Sequence, residues 1–216
     1  IERTNALLGR YFAPEVRKEI ETLEMDLTKQ ESKEQDVAII FTDIVGFTNL
    51  SEKMHPREVM QLLSKYQSLM VDAIFANNGT VDKFIGDAVM ANFGTPQSHG
   101  NDAQNAFDCA LEMQRKMVEW NISRRAEGLP EVTHRIGIHC GSCVVGNVGS
   151  EQRLEFAVVG DVVNVASRIC DAGKTIGSDF VISADLFNRL ETNENFQKIK
   201  NFQIRGRKEP IDLMAR

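Results

Sequence analysis

Apolar residues recur along this chain with two different spacings, and the spacings alternate. Val37 to Phe41 is a continuous run of apolar, mostly β-branched or aromatic residues, which predicts a buried strand. From Pro56 to Asn77 the pattern changes to three- and four-residue intervals: Val59, Leu62, Leu63, Tyr66, Leu69, Met70, Ala73 and Ile74. That spacing predicts a helix with one broad apolar face, closed by Asn78-Gly79, two residues that tolerate the left-handed conformation. A strand, a Gly86-Asp87 turn and a second strand follow, after which Asp102 opens another amphipathic helix carrying Ala106, Phe107, Ala110, Leu111, Met113 and Met117. Beyond Gly128-Leu129-Pro130, strands are predicted over Thr133 to Cys140 and Ser142 to Gly146, with a turn at Gly141-Ser142, and over Leu154 to Val159. Asp161 is expected to cap a short helix that runs to about Cys170.

Strand, helix, hairpin, helix, strands is the order of a split βαβ unit. The expected fold class is therefore α+β: a ferredoxin-like sheet with helices on one face and additional α/β elements at the C-terminal end. A chain of 216 residues suits one sizeable core. Residues 1–34 are highly charged, with Leu7, Leu8, Tyr11 and Phe12 at helical spacing before Pro14, and read either as a helical connector or as a solvated tail. Residues 35–216 form the main domain. Because the chain starts at Ile1, it is expected to be a fragment, with a sensor or membrane domain upstream.

Composition narrows the function classes. With 42% hydrophobic and 26% charged residues, neither disorder nor a coiled coil is indicated. The formal net charge of −6, without a basic stripe, argues against nucleic acid as a partner. No apolar run approaches the roughly 18 residues of a membrane span, and no signal peptide is evident. Four cysteines in a core-rich chain do not suggest a disulfide framework, and the lone CxxC of Cys140 and Cys143 reads as two small residues flanking the Gly141-Ser142 turn.

Candidate chemistry centres on two aspartates. Asp43 and Asp87 each lie in a segment that reads as a strand ending at a glycine-marked turn, a position at the rim of a sheet where a carboxylate can bind a hard cation. Either alone could simply cap a turn. Together they lie in FTDIVGFT (Phe41 to Thr48) and DKFIGDAVMANFG (Asp82 to Gly94), and two further stretches follow in order: RIGIHCGSCVVGNVGS (Arg135 to Ser150) and FAVVGDVVNVASR (Phe156 to Arg168). In order and spacing these four resemble the catalytic domain of class III nucleotidyl cyclases.

The resemblance implies an adenylyl cyclase that converts ATP to cyclic 3′,5′-AMP and pyrophosphate, with guanylyl cyclase or a non-catalytic cyclase-like module as alternatives. It implies two Mg²⁺ ions, replaceable by Mn²⁺, held by Asp43, Asp87 and the Ile44 carbonyl. Gly46 would let the backbone approach the β- and γ-phosphates, with the Phe47 and Thr48 amides as donors, although Phe47 could equally be core. Arg168 would contact the α-phosphate, Asn164 would orient the ribose, and Arg205 would hold the terminal phosphates. Lys83 would donate to adenine N1, which favours ATP over GTP. At the second base-reading position Ala157 departs from the family pattern, leaving the adenine amino group to a backbone carbonyl such as that of Val158, or to water. These residues are shared across a homodimer in the family, with Asp43 and Asp87 from one chain facing Lys83, Asn164 and Arg168 of the other. The implied location is cytoplasmic.

Overall fold

The computed structural model describes residues 32–150 and 153–216. The lead-in predicted over the first 34 residues lies almost wholly outside the described residues. Strand β1 (Lys33–Ile44) is followed by a short helix α1 (Phe47–Ser51) and the long helix α2 (Pro56–Ala76). The hairpin β2 (Thr80–Ile85) and β3 (Ala88–Phe93) leads to helix α3 (Asp102–Ala126) and then to strand β4 (His134–Ser150). The remaining elements are β5 (Arg153–Val159), α4 (Asp161–Ile176), β6 (Phe180–Ser183), α5 (Ala184–Phe187), β7 (Gln197–Phe202) and β8 (Ile211–Ala215).

Eight strands form one sheet in the order β2-β3-β1-β4-β6-β8-β7, with β5 paired to β4. The first four positions, β2-β3-β1-β4, are all antiparallel and complete the ferredoxin-like unit. Period-two alternation in β1 sends Ala38, Ile40 and Ile44 toward α2 and α3, and Val37, Ile39 and Phe41 toward α4. Both faces are covered, which is why Val37 to Phe41 reads as an unbroken apolar run. The two helices of the split βαβ unit share one face, as expected, and the opposite face is covered by α4 from the C-terminal addition. Helix α2 buries Leu62, Tyr66, Met70, Ala73 and Ile74, each large side chain contributing about 1.5–3 kcal/mol. Its start is fixed by a capping box in which the Arg57 amide donates to His55 Nδ1 and the His55 amide donates to Glu58.

Four local expectations are corrected. No turn interrupts Gly141-Ser142: β4 is one strand of 17 residues, because β1 pairs with it continuously, Asp36 opposite Ser142 and Val37 opposite Gly141. Cys140 and Cys143 therefore flank strand residues, and both are buried in the core. Asp161 is not a cap: Gly160 occupies that position without a side-chain bond, and the Asp161 carboxylate pairs instead with Arg207 Nε at 3.6 Å. Helix α4 continues past Cys170 to Ile176, since Ala172 and Gly173 keep its apolar face buried. After α2 only Asn78 is left-handed, at φ 59°; Gly79 is needed for space, as a Cβ there would lie 2.6 Å from the Phe93 ring.

Candidate active site

Helix α4 lies unusually close to β4 because a Cβ on Gly137 would collide with the Cys170 backbone. The same approach brings Gly173 against Arg135. Arg135 sits opposite Asp43 in the β1–β4 register, and both point to the α4 face. On the other side of β1, the last register pair with β3 is Thr42 and Val89, so the β2–β3 turn lies beside Ile44. Asp87 in that turn accepts a hydrogen bond from the Ile44 amide at 3.0 Å. The two candidate aspartates are thus brought together by strand pairing, and the Asp87 charge acts on Asp43.

Asp43 is the tighter of the two positions. Burial raises its pKa above the usual carboxylate value, Arg135 opposes that shift and the Asp87 charge adds to it. Its Oδ1 is buried without a hydrogen-bond donor, and the nearest cation, Arg135 Nη1, stands 3.7 Å away. Arg135 is itself buried and divided between two acids, with Nη2 3.7 Å from Asp179 and Nε unpartnered. Beneath this pair, the Thr42 hydroxyl meets Tyr66 Oη at 2.8 Å and His134 Nδ1 at 3.2 Å, anchoring the strand end to α2.

These residues suit a hard divalent cation. An unpartnered buried carboxylate oxygen and a second carboxylate beside it are the donors such an ion takes, with the Ile44 carbonyl as the further expected ligand. Among the described residues no group of three or more His, Cys, Asp or Glu side chains is gathered to hold a metal. Two carboxylates with substrate phosphates and water completing the shell is a Mg²⁺-type arrangement.

The remaining candidates occupy other places. Gly46, at φ 70°, precedes α1 and turns the chain into it. Phe47 packs its ring against the α2–α3 core layer while Thr48 is exposed. Lys83 lies on β2 with its side chain 52% exposed, 3.2 Å from Asp82. Ala157 and Val158 are on β5, Val158 packed beneath α4. Asn164 is exposed on α4 and Arg168, one turn later, is half-buried. Arg168 rests its guanidinium on Gly206: a Cβ at that residue, where φ is 78°, would lie 3.3 Å from both terminal nitrogens. Arg205, the neighbour of Gly206, is exposed beside it.

Within one chain these groups fall into two sets. The charges with the largest influence on Asp43 are those of Arg135, Asp87, Lys174 and Asp171; Lys174 and Asp171 lie on the C-terminal half of α4 and Arg135 packs against Gly173 there. Asn164 lies seven residues before Asp171, or about 10 Å along the helix axis. The sequence reading missed Arg135 and the Gly206 seat for Arg168. A charged residue at the entrance of an otherwise apolar strand signals a need for an acid partner, which would have pointed to Arg135; Gly206 carries no such signal.

Comparison with known proteins agrees with this geometry. The family model described as the adenylate and guanylate cyclase catalytic domain matches residues 29–214. Adenylate cyclase 1 of Rhizobium meliloti (strain 1021) is 36% identical over 179 residues, covering 83% of this chain and 27% of that protein. The adenylate cyclase of Anabaena cylindrica is 37% identical over 184 residues, covering 82% of this chain and 36% of its own length. The chain thus spans about a third of the length of these relatives. Among solved structures, the adenylyl cyclase CyaB from P. aeruginosa superposes with a TM-score of 0.78 at 30% identity, covering 86% of this chain and 95% of that one. A guanylyl cyclase crystal structure gives 0.76 at 33% identity, covering 85% and 92%. No helix among the described residues is long and apolar enough to cross a membrane. On the family match, the shared fold and the paired aspartates at the sheet rim, this chain belongs to the family of adenylate and guanylate cyclase catalytic domains.

Proposed function

We propose that this domain is an adenylyl cyclase that forms cyclic 3′,5′-AMP and pyrophosphate from ATP, as a homodimer with two shared sites. The observation that carries the reading is the convergence of Asp43 and Asp87, fixed by the Ile44 amide and leaving a buried carboxylate oxygen without a partner. Bound there, two Mg²⁺ ions, or Mn²⁺ in their place, would lower the pKa of the ribose 3′-hydroxyl and neutralise the departing triphosphate oxygens. In the reaction the 3′-oxygen bonds to the α-phosphorus, its proton is released, and the α–β bridging bond breaks.

The chain's own groups place and stabilise the nucleotide. Arg168, seated on Gly206, presents two parallel donors to the α-phosphate oxygens as charge builds on them. Asn164, a helical turn away, orients the ribose. The amides of Phe47 and Thr48 after Gly46, together with Arg205, hold the β- and γ-phosphates. Lys83 donates to adenine N1, and the adenine amino group uses the Val158 carbonyl or water where Ala157 offers no polar atom.

Dimerisation is supported by two observations. Asn164 is exposed about two helical turns before Asp171, the α4 residue whose charge acts on Asp43. Phe84 and Ile85 on β2, Val144 and Val148 on β4 and Val159 on β5 are large apolar side chains left 46–56% exposed, a set suited to burial against a second copy. A cytoplasmic site of action fits four buried cysteines that are all unpaired.

The test is to incubate the purified domain with ATP or GTP and Mg²⁺ or Mn²⁺ and to identify the product. Cyclic AMP formation that is abolished by Asp43→Ala and by Asp87→Ala is expected. Cyclic GMP as the preferred product would move the assignment to guanylyl cyclase, because Ala157 offers no side-chain hydrogen bond to tell the two bases apart. Near-normal activity in either aspartate variant would overturn the site.

A further inference from the structure

On the helical layer, between α2 and α3, is a cleft of about 400 Å³ whose lining includes Lys65, Leu69, Lys116, Trp120, Arg124 and Leu129 together with the acids Glu119 and Glu127. Arg124 is unusual among the charged residues of this chain. It is only 8% exposed and forms no direct ion pair among the described residues, although the Glu127 charge acts on it. Its guanidinium carbon lies 5.1 Å from the centre of the Trp120 ring, and Nε donates to the Pro130 carbonyl at 2.7 Å. The two terminal nitrogens, with four N–H donors, meet no acceptor among the described residues. Burial lowers the Arg124 pKa and the Glu127 charge opposes that shift, while the terminal nitrogens are open to the cleft rather than sealed in the core.

From this arrangement we infer that the cleft is a receptor for a small organic anion, its carboxylate or phosphate oxygens on the terminal nitrogens of Arg124 and its apolar body against Leu69, Trp120 and Leu129. Lys65 and Lys116 also line the cleft. Lys116 is 3.7 Å from Glu112 and Glu119 is engaged by Arg115, so Lys65 and Arg124 outweigh Glu127 and the cleft favours a negative guest. The planar fork of Arg124 suits two-oxygen recognition.

The cleft has a short main-chain connection to the aspartate site. Past Pro130, Asn121 both donates to the Val132 carbonyl and accepts from the Val132 amide, each at 2.9 Å. The next carbonyl, that of Thr133, accepts from the Val45 amide at 2.9 Å, two residues from Asp43.

Trp120 is the chain's single tryptophan, so emission excited at the red edge, where tyrosine does not absorb, reports this cleft alone. Benzoate serves as probe, benzamide as its neutral isostere, and inorganic phosphate as a head group without a body. A nine-atom ligand should bind with a Kd of about 1–10 mM, the range set by its size. The expected result is a saturable Trp120 signal with benzoate, a weaker one with phosphate and none with benzamide. Arg124→Gln should weaken benzoate binding at least about tenfold, the value of a charged hydrogen-bond pair. Should that variant fail to fold, the surface variant Lys65→Gln, weaker by a few-fold, carries the same test. The inference is overturned if benzoate gives no saturable change, if benzamide matches it, if binding is unaltered in folded Arg124→Gln, or, where that variant does not fold, if binding is unaltered in Lys65→Gln. In those cases Arg124 only fastens the end of α3 to the loop at Pro130.

Discussion

Gly206→Ala separates the seating of Arg168 from the general cost of backbone strain. At φ 78° a non-glycine residue pays about 1–2 kcal/mol for a left-handed conformation. Gly100, at φ 85° with no atom within 4 Å of the position a methyl group would take, carries the same cost without meeting a neighbour. At position 206 the methyl carbon falls 3.3 Å from Nη1 and Nη2 and 3.4 Å from Cζ, so the guanidinium must withdraw by a few tenths of an ångström. A misplacement of about 1 Å can cost about 10²-fold in rate, and half of that on the logarithmic scale is about tenfold, or about 1.4 kcal/mol. Cyclic AMP production should therefore show kcat about tenfold lower in Gly206→Ala with KM changed much less, while Gly100→Ala keeps its activity. Both variants should lose a similar few degrees in Tm. If the two glycine variants turn over ATP at rates within twofold of each other, Gly206 does not hold Arg168 in a catalytic position.

Three further outcomes are expected. Lys83→Glu sets an acceptor opposite adenine N1, a mismatch worth about 1–3 kcal/mol, and should shift the ATP-to-GTP ratio of kcat/KM by on the order of tenfold or more; an unchanged ratio removes Lys83 from the base pocket. Asp43→Ala and Arg168→Ala homodimers should each be nearly inactive, and equal mixing should restore about a quarter of wild-type activity, because half of the dimers then carry one intact site of two; no recovery despite demonstrated subunit exchange would place the residues within one chain. Burial pushes the pKa of His139 from 6.5 down to about 4, so the unfolded chain takes up a proton that the folded chain refuses. Stability then falls as pH drops from 6.5 toward 4, and His139→Gln should flatten the decline in Tm measured across that window.

Much of this architecture is written in local pattern. Helix α2 follows from the spacing of Leu62, Tyr66, Met70 and Ala73, and the aspartate pair from carboxylates placed beside Gly46 and Gly86 at strand ends. What escaped was decided by neighbours distant in sequence. Gly141-Ser142 looks like a turn, but pairing with Asp36 and Val37 carries the strand straight through it. Asp161 has the composition of a cap, yet Arg207, 46 positions later in the numbering, draws its carboxylate away. Arg135 acquires its role only when β1 lays Asp43 opposite it and α4 brings Gly173 against its side chain. Arg168 was legible as a residue type in a motif, whereas the Gly206 surface that supports it depends on how the C-terminal segment folds back onto α4.

The unbroken length of β4 has a mechanical consequence. At about 3.3 Å per residue, 17 residues extend about 55 Å, more than the roughly 45 Å breadth of a compact chain of this size. One end carries Arg135, facing Asp43, and the other carries Val144 and Val148, exposed toward whatever meets that surface. Between them the strand is laced to β1 from His134 to Val145 and has no loop that could act as a hinge. A twist applied at the far end would therefore travel as a small rotation of a stiff rod. It would reach the acidic pocket as a sub-ångström change of aim, with the domain still fully folded.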